Sequence, residues 1–516
     1  EMASDHYALD ISRARQLLDW SPQHSLPDEL PEMVAALKED PYRWYRQNGI
    51  TPPHWLTEAE EVFDDPERER NLDEAHYRRQ FQQNIWSQWF NLGLATWLIT
   101  SPPLLGFTST AMIVSDVVSG IALLALSLLS LSWKHGWARW ACAAIGCWVM
   151  SAPLVFWAPD ATAYLNGTLV GALITGLAVL TPPYPGMGLL ARRSGPDIPE
   201  GWTFSPSSWF QRLPLIILAL VGLYVSRYLA AYQLDYISGV WDPFFGSDEI
   251  ARNGTEAIIT SSVSEAWPVP DAGIGALTYM LEILVGVAGT ANRWRTMPWL
   301  VVLFGLMIVP LGAVSIYFIV IQPILIGTYC TLCLVAAAAM LVQIPYSIDE
   351  LVACGQFLRR RHKAGKPVLK IFFTGDTDVG KRTDKDDFEQ SPYAIIREML
   401  TGGMSVPWNL AASGFLAMWL MMTPLIFNAS EGLVATNHIA GALVLTITVT
   451  AFAEVGRSIR FLNIFVGGLL VLTPFALDAS LIQTANNIVI GLLLMVLNVR
   501  RGTIRNTYGG WSRYII

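Results

Sequence analysis

The amino-acid sequence predicts an all-α polytopic membrane protein of about twelve transmembrane helices, and three observations carry that prediction. Of the 516 residues 53% are hydrophobic and 15% charged, whereas soluble chains carry about a quarter charged residues. Apolar runs of the length a bilayer core requires, about 20 residues each, recur at 88–106, 109–132, 138–157, 163–181, 213–233, 272–290, 297–320, 324–345, 407–426, 436–455, 460–477 and 481–498. Lys and Arg fall in every second connection between these runs, the pattern that marks cytoplasmic loops.

That third observation orients the chain. Arg78 and Arg79 precede the first run, and Lys134 and Arg139 follow the second. Arg192 and Arg193 follow the fourth, Arg293 and Arg295 the sixth, and Arg359, Arg360, Arg361 and Lys363 the eighth. Arg457 and Arg460 follow the tenth, and Arg500, Arg501 and Arg505 the last. The alternate connections (158–162, 234–271, 321–324, 427–435, 478–480) contain Arg252 as their one exception. Both termini are therefore expected in the cytoplasm, with the lipid bilayer of a cell (inner) membrane as the surroundings. The first 84 residues are polar and acidic, without the basic flank and apolar core of a signal peptide, and are expected to stay in the cytosol. A net charge of −8 argues against a nucleic-acid partner, which favours basic patches. Five cysteines do not make a disulfide-stapled scaffold.

A unit of about fifty residues recurs four times, beginning Trp97-Leu-Ile-Thr-Ser-Pro102, Trp148-Val-Met-Ser-Ala-Pro153, Trp419-Leu-Met-Met-Thr-Pro424 and Leu469-Leu-Val-Leu-Thr-Pro474. Asn166, Asn437 and Asn487 follow the last three prolines by thirteen residues, and Asp116 follows the first by one more. A glycine comes four or five residues later in each (Gly120, Gly171, Gly441, Gly491). Each unit reads as a helical hairpin whose proline ends the first helix and whose small and polar residues allow close helix contact. The units resemble the SPW repeat, although the tryptophan after Ser-Pro is absent. That resemblance implies architecture rather than chemistry.

Between the repeat pairs, the eighth run opens Ile326-Gly-Thr-Tyr-Cys330-Thr-Leu-Cys333. Cys-x-x-Cys at a helix start suits dithiol–disulfide exchange, since the two sulfurs meet across one turn and the helix N-terminus favours the leading thiolate. By the orientation above the pair lies near the outer face, where disulfides persist. Zinc requires further ligands that the neighbourhood lacks; two cysteines that merely pack helices are the other reading. Arg227 and Glu282 are ionisable groups at membrane depth, functional candidates by default unless they pair structurally or snorkel.

This block resembles the vitamin K epoxide reductase family, four-helix membrane thiol oxidoreductases that couple disulfide chemistry to a quinone. The resemblance rests on Tyr329-Cys330-Thr-Leu-Cys333, on Gly273-Ile-Gly-Ala-Leu-Thr-Tyr279 with Gly286, and on Asp349-Glu350-Leu with Gln356-Phe-Leu-Arg-Arg. Trp267 matches the family's loop tryptophan. The resemblance implies Cys330 and Cys333 as the catalytic pair, with Cys333 facing a membrane quinone and Cys330 exchanging with a thiol outside. On the quinone side it puts Asp271, Tyr279 and Trp267, beside the candidates Glu282 and Arg227. Two features depart from the family. Ala337 replaces a frequent tyrosine, and 234–271 lacks the second cysteine pair that usually shuttles electrons. Cys142 and Cys147 belong to the third run and Cys354 to the cytosol, so none substitutes. Either a separate thioredoxin-like protein is the thiol partner, or the chain is a non-catalytic membrane scaffold or complex subunit that has kept the bundle.

Residues 1–55, with Leu9-Asp10-Ile-Ser12 and Asp19-Trp20-Ser-Pro22, resemble the C-terminal tail of an extended short-chain dehydrogenase of the sugar epimerase type. No dinucleotide-binding βαβ unit precedes them, which argues against NAD chemistry. Val368–Phe373 reads as a strand, and Gly375-Asp-Thr-Asp-Val-Gly380-Lys381 imitates a phosphate loop with Arg382 in place of its Ser or Thr. Asp376 and Asp378 oppose phosphate binding, so a solvated polar loop is expected. The expected organisation is a tail at 1–55, a polar linker at 56–84, a repeat pair at 85–182, the four-helix domain at 205–365, a cytosolic loop at 366–404 and a second repeat pair at 405–500.

Overall fold

The computed structural model describes residues 10–21, 26–39, 41, 44–45, 48–51, 66–188, 191, 195–245, 252–383, 387–426, 431–477 and 479–515. Leu9 and Pro22 of the tail motif, residues 56–65 of the 56–84 linker, and Arg192 and Arg193 lie outside these residues. The chain divides into two units, Glu1–Arg79 and Gln80–Ile516. The first contains helices Ser12–Leu18 and Leu26–Glu39. A helix over Pro66–Asn84 spans the division.

The second unit has a long helix at each of the twelve predicted spans. They are α1 (Trp86–Leu105), α2 (Thr110–Ser130), α3 (Gly136–Val155), α4 (Ala161–Val179), α5 (Trp209–Gln233), α6 (Asp271–Val287), α7 (Pro298–Ile321), α8 (Thr331–Lys363), α9 (Trp408–Ile426), α10 (Glu431–Thr450), α11 (Phe461–Ala476) and α12 (Leu481–Val499). Nine of them, among the described residues, are long and apolar enough to cross a membrane. The protein is an all-α polytopic membrane protein. Helices dominate because a backbone in hydrocarbon must satisfy its own N–H and C=O groups.

Two four-helix groups share one plan. In α1–α4 each helix packs on its sequence neighbour and α1 returns to α4; α9–α12 repeat the arrangement. Indole hydrogen bonds set the equivalence. Trp97 donates to Asn166 (2.8 Å), Trp419 to Asn486 (3.0 Å) and Trp148 to Ser115 (3.1 Å). Ser115, Asn166 and Asn486 therefore correspond, and so do their successors Asp116, Gly167 and Asn487, with Asn437 as the fourth member. Each of these four precedes a glycine by four residues (Gly120, Gly171, Gly441, Gly491). The sequence spacing from proline had grouped Asn166 with Asn437 and Asn487. The structure moves it one residue, because the first pair of units holds one more residue between proline and glycine than the second.

The shift has a physical outcome. Asn437 and Asn487 donate to each other across the second group (3.2 and 2.7 Å). In the first group Asp116 corresponds to Asn437, and Gly167, with no side chain, corresponds to Asn487. Asp116 is fully buried, and neither carboxyl oxygen has a hydrogen-bond partner. The glycines do what small membrane residues do. A Cβ at Gly171 would sit 2.4 Å from the Gly146 carbonyl, and one at Gly491 2.5 Å from that of Gly467.

The central bundle of α5–α8 lies between these groups. Gly273 of α6 meets Leu154 of α3, and Gly222 of α5 receives the Tyr279 ring, which a Cβ there would approach to 2.3 Å. α6 packs closely on α5 and lightly on α7, which leaves space between them. At the other end of the bundle from Cys330, Arg293 grips Glu350 of α8 through Nε–Oε1 and Nη2–Oε2 (2.7 Å each). Its Nη1 also donates to the Val285 and Ala288 carbonyls (2.7 and 3.1 Å), and Arg212 of α5 donates to those of Ala288 and Gly289 (3.1 Å each). Two arginines thus satisfy the carbonyls that the end of α6 leaves without helical partners.

The segment 368–373 corrects a prediction: it is a helix, Val368–Thr374, rather than a strand. Leu369, Ile371 and Phe373 alternate as in a strand. Val368, Ile371 and Phe372, however, fall at i, i+3 and i+4, and burying Ile371 in the cluster with Trp294 and Phe357 selects the helix. Beyond it Gly380–Lys381 pairs antiparallel with Ile198–Pro199. Asp378 accepts from Arg360 (3.1 Å) and Arg361 (2.9 Å), and Asp376 from Lys366 (2.9 Å). The carboxylates of the imitation phosphate loop are thus already paired with cations.

Candidate active site

α8 begins at the cysteine pair. Cys330 is its N-cap: the backbone leaves the extended region there, and the sulfur accepts from the Cys333 N–H at 3.0 Å. Thiol-sized caps with this spacing put two sulfurs across the first turn, and Cys330 and Cys333 are joined as a disulfide with Cα atoms 5.2 Å apart. The Cys330 N–H, which the helix cannot satisfy, donates to Gln322 Oε1 at 3.1 Å. Gln322 opens a π-helical turn, Gln322–Ile326, that carries α7 into the connection.

The two sulfurs face different surroundings. Cys330 has no exposed surface. Cys333 is half-buried and lines a cavity of about 170 Å³ between α5, α6, α7 and α8. Apolar side chains from α5 (Leu229), α7 (Leu311, Val314, Phe318) and α8 (Ala337, Met340) make most of its wall. Polar groups on it include those of Asp271, Tyr279, Trp267 and Gln322, with the hydroxyls of Ser226, Ser261, Ser264, Thr278 and Ser315. An apolar cavity of about 150 Å³ accommodates a benzene ring, so this one suits a small planar head with a few polar points.

Residues 240–245 and 252–260 form a segment tied to the start of α8, where Thr331 donates to Asp242 and Gly254 packs against the Tyr329 carbonyl. Its centre is Asp242, whose carboxylate accepts from Thr331 Oγ1 in the first turn of α8, from Thr255 N (3.0 Å) and Oγ1 (2.7 Å), and from the N–H groups of Phe244 and Phe245 (3.1 Å each). Asn253 and Glu256 form a capping box that starts the helix Gly254–Ile259 behind it. The Phe245 ring lies 5.2 Å from that of Tyr329. Burial raises the Asp242 pKa, but the hydrogen bonds from Thr331, Thr255, Phe245 and Phe244 outweigh it and hold the carboxyl at about 2. A negative charge at a helix N-terminus is also favourable.

The pKa gives the clasp its pH range. A carboxyl with a depressed folded pKa contributes stability above its ordinary value near 3.8 and loses it as pH falls through about 2. Between pH 5 and 9 the carboxylate therefore stays ionised, and the strength of the clasp does not change with pH. In the reduced protein, Asp242→Ala is expected to raise the alkylation rate of Cys330 by about tenfold or more, since it removes hydrogen bonds to a charged acceptor worth about 1.5–3 kcal/mol each. The ratio of variant to wild-type rate is expected to stay flat from pH 5 to 9. An unchanged rate in the variant contradicts the clasp.

The residues named from the sequence separate into two sets. Asp271, Tyr279, Trp267 and Cys333 meet at the cavity. Asp271 accepts from Gln233 Nε2 and from Ser264 Oγ (2.8 Å), and the Tyr279 hydroxyl donates to the Ala336 carbonyl at 3.0 Å. Glu282 is buried one turn deeper on α6, beside Gln343 of α8, and is not part of the cavity wall. Arg227 faces away, toward Tyr164 and Met150 of the first four-helix group. Sequence reasoning missed Asp242, Thr331, Gln233, Ser264 and Gln322. The capping pattern Asn253-x-x-Glu256 and the Asp-Pro turn at Asp242-Pro243 were the available signals that 234–271 is structured.

Comparison with known proteins agrees with this geometry. Residues 213–348 match the vitamin K epoxide reductase family, and residues 85–181 match the SPW repeat domain. No curated protein and no solved structure matches the chain. Cys330, Cys333 and the cavity lie within the first match, and α1–α4 coincide with the second. The chain is thus a multi-pass membrane protein that carries an SPW repeat domain followed by a vitamin K epoxide reductase family domain, the domain of a membrane thiol–disulfide oxidoreductase.

Proposed function

We propose that the chain oxidises the dithiol of a separate thioredoxin-like protein and passes the electrons to a membrane quinone. The observation that carries this reading is the placement of Cys333 in the wall of the cavity while Cys330, its disulfide partner, is fully buried outside that wall, next to Thr331, which donates to Asp242. The residues fit a quinone. The cavity is apolar, of aromatic-ring size, and presents Asp271, Tyr279, Trp267 and Gln322 as fixed polar points, the usual composition of a small-molecule site.

The chain's own residues divide the work. With the clasp open, a partner thiolate attacks Cys330, forming a mixed disulfide and releasing the Cys333 thiolate. The partner's second thiol then attacks its own sulfur in that mixed disulfide, so the partner leaves oxidised and Cys330 and Cys333 are left reduced. The N-terminus of α8 stabilises the thiolates formed at its first turn. Re-forming the Cys330–Cys333 bond releases two electrons and two protons at the cavity. A bound quinone supplies the oxidising power that accepts them.

Orientation supports the same reading. α8 has 33 residues, about 50 Å at 1.5 Å per residue, and exceeds a hydrocarbon core of about 30 Å. Its apolar part starts at the cysteines and its far end carries Arg359, Arg360 and Arg361. In this reading the arginines lie on the cytoplasmic side, as the positive-inside rule favours, with Cys330 and Cys333 at the outer face of an inner membrane and both termini inside. There, an oxidising compartment provides dithiol substrates.

The test is quinone-dependent oxidation of a reduced thioredoxin-like protein by the full chain in lipid vesicles. Filling the cavity with Ala337→Phe is expected to raise the quinone KM about tenfold, the scale of overpacking by 1–3 kcal/mol. Wild-type vesicles that never consume the dithiol favour the scaffold alternative instead.

A further inference from the structure

A single buried amide connects the cavity to the cysteine pair. Gln322 is 1% exposed and lies on the cavity wall. Its Oε1 accepts from the Cys330 N–H at 3.1 Å. A backbone N–H can only donate, so the oxygen must face Cys330, and this settles which way the amide points. Its Nε2 is then left buried with no hydrogen-bond partner. An unmet buried amide donor costs about 1–3 kcal/mol, and here the unmet donor belongs to a residue that lines a ligand-sized space.

The segment that carries Gln322 is held from outside the matched domain. Pro323 has no N–H to offer the Ile319 carbonyl one turn earlier. His438 of α10 meets that carbonyl through Nε2 at 3.2 Å, and its ring lies 6.0 Å from the ring of Tyr329, the residue before Cys330. A carbonyl can only accept, so Nε2 carries the proton in this contact. His438 itself is 1% exposed. The second four-helix group thereby supports the π-helical turn at which the cavity wall and the cysteine pair meet.

We propose that Gln322 is a ligand-binding residue of the cavity, donating from Nε2 to a carbonyl oxygen of the quinone while Oε1 holds the Cys330 backbone, and that His438 is the positioning residue that fixes it. The proposal rests on the quinone reading and adds to it a donor, and a route by which ligand occupancy is felt at the N-cap of the redox helix. A quinone is recognised by its two carbonyl acceptors, and Nε2 supplies what an acceptor needs without a charge.

Gln322→Glu isolates the donor. It keeps an oxygen for the Cys330 N–H and replaces the –NH2 by an oxygen that repels a carbonyl. Binding of a water-soluble short-chain quinone to the detergent-solubilised full chain, followed by tryptophan quenching, is expected to weaken about tenfold or more. The Cys330–Cys333 disulfide should still form, as read by alkylation after denaturation. His438→Phe is expected to weaken binding several-fold, while His438→Gln, which keeps an N–H donor, recovers affinity to within about twofold of wild type. Equal weakening in His438→Phe and His438→Gln overturns the positioning role, and affinity in Gln322→Glu within twofold of wild type overturns the binding role. A wild-type chain that binds no quinone overturns the functional reading and this inference together; a wild-type chain that binds, with an unaffected Gln322→Glu, overturns this inference alone.

Discussion

Cys333→Ser is expected to lower quinone-dependent dithiol oxidation by roughly 10³-fold or more, the scale of removing one member of a catalytic unit. Cys330→Ser should cost the same, and the double variant no more, because neither sulfur can form the disulfide alone. The two single variants differ in what they accumulate. Cys333→Ser leaves Cys330 as a free thiol; offered the partner in its disulfide form, its thiolate attacks that disulfide, releases the partner's other sulfur and holds a mixed disulfide that Cys333 can no longer displace. Asp242→Ala added to Cys333→Ser is expected to raise the yield of that species by opening the segment over Cys330. The measurement is a non-reducing gel of membranes incubated with the partner in its disulfide form. A mixed disulfide trapped on Cys333 in Cys330→Ser instead would reverse the roles of the two sulfurs.

The second large effect concerns stability. Arg293 and Glu350 are joined by two hydrogen bonds of 2.7 Å, with side chains 0% and 5% exposed. Ser207 completes the shell by donating to Glu350. Breaking such a buried pair from one side leaves an uncompensated charge, at about 3–5 kcal/mol. In a chain of this size that corresponds to a fall in melting temperature of roughly 3–5 °C. Arg293→Ala has the further effect of uncovering the end carbonyls of α6. The paired replacement Arg293→Met with Glu350→Leu is expected to regain a large part of the loss, because it removes both charges. Thermal unfolding in detergent measures all three. If the single variants melt within about 2 °C of wild type, the pair does not hold this end of the bundle.

Much of this architecture was legible in the sequence because membrane physics leaves few options. Runs such as 109–132 and 481–498 must be helices, and they are. Cys330-Thr-Leu-Cys333 could be placed at a helix start from the Gly327 before it and the aliphatic run after it. The face of each helix was harder to read. Arg227 and Glu282 were nominated by depth alone, and depth says nothing of direction. Ser226 lines the cavity, yet Arg227, about 100° further round α5, points to Tyr164. Glu282 shares a face with Tyr279 but lies a turn below the end of the cavity. The hydrogen bonds of Asp242 and His438 were invisible for another reason. They join segments 89 and 119 residues apart, and no local pattern encodes such a meeting. Position 368–373 shows the reverse error, a local alternation overruled by the burial of Ile371 on α8.

The absence of loop cysteines, read from the sequence as a puzzle, acquires a structural counterpart. In the segment that would carry them, Asp242 instead joins Thr255 to Thr331, the residue after Cys330. In the proposed reading, an outside thiol reaches the buried sulfur of Cys330 once these hydrogen bonds yield, without an internal relay.

The most direct test of the central claim is the thiol state of Cys330 and Cys333 in native membranes. Membranes are reduced, washed, and incubated without oxygen in the presence or absence of oxidised quinone, then acid-quenched and alkylated for a mass shift. Quinone-driven chemistry predicts that the pair returns to the disulfide with quinone alone and stays reduced without it. A pair that remains reduced in the presence of oxidised quinone contradicts the account.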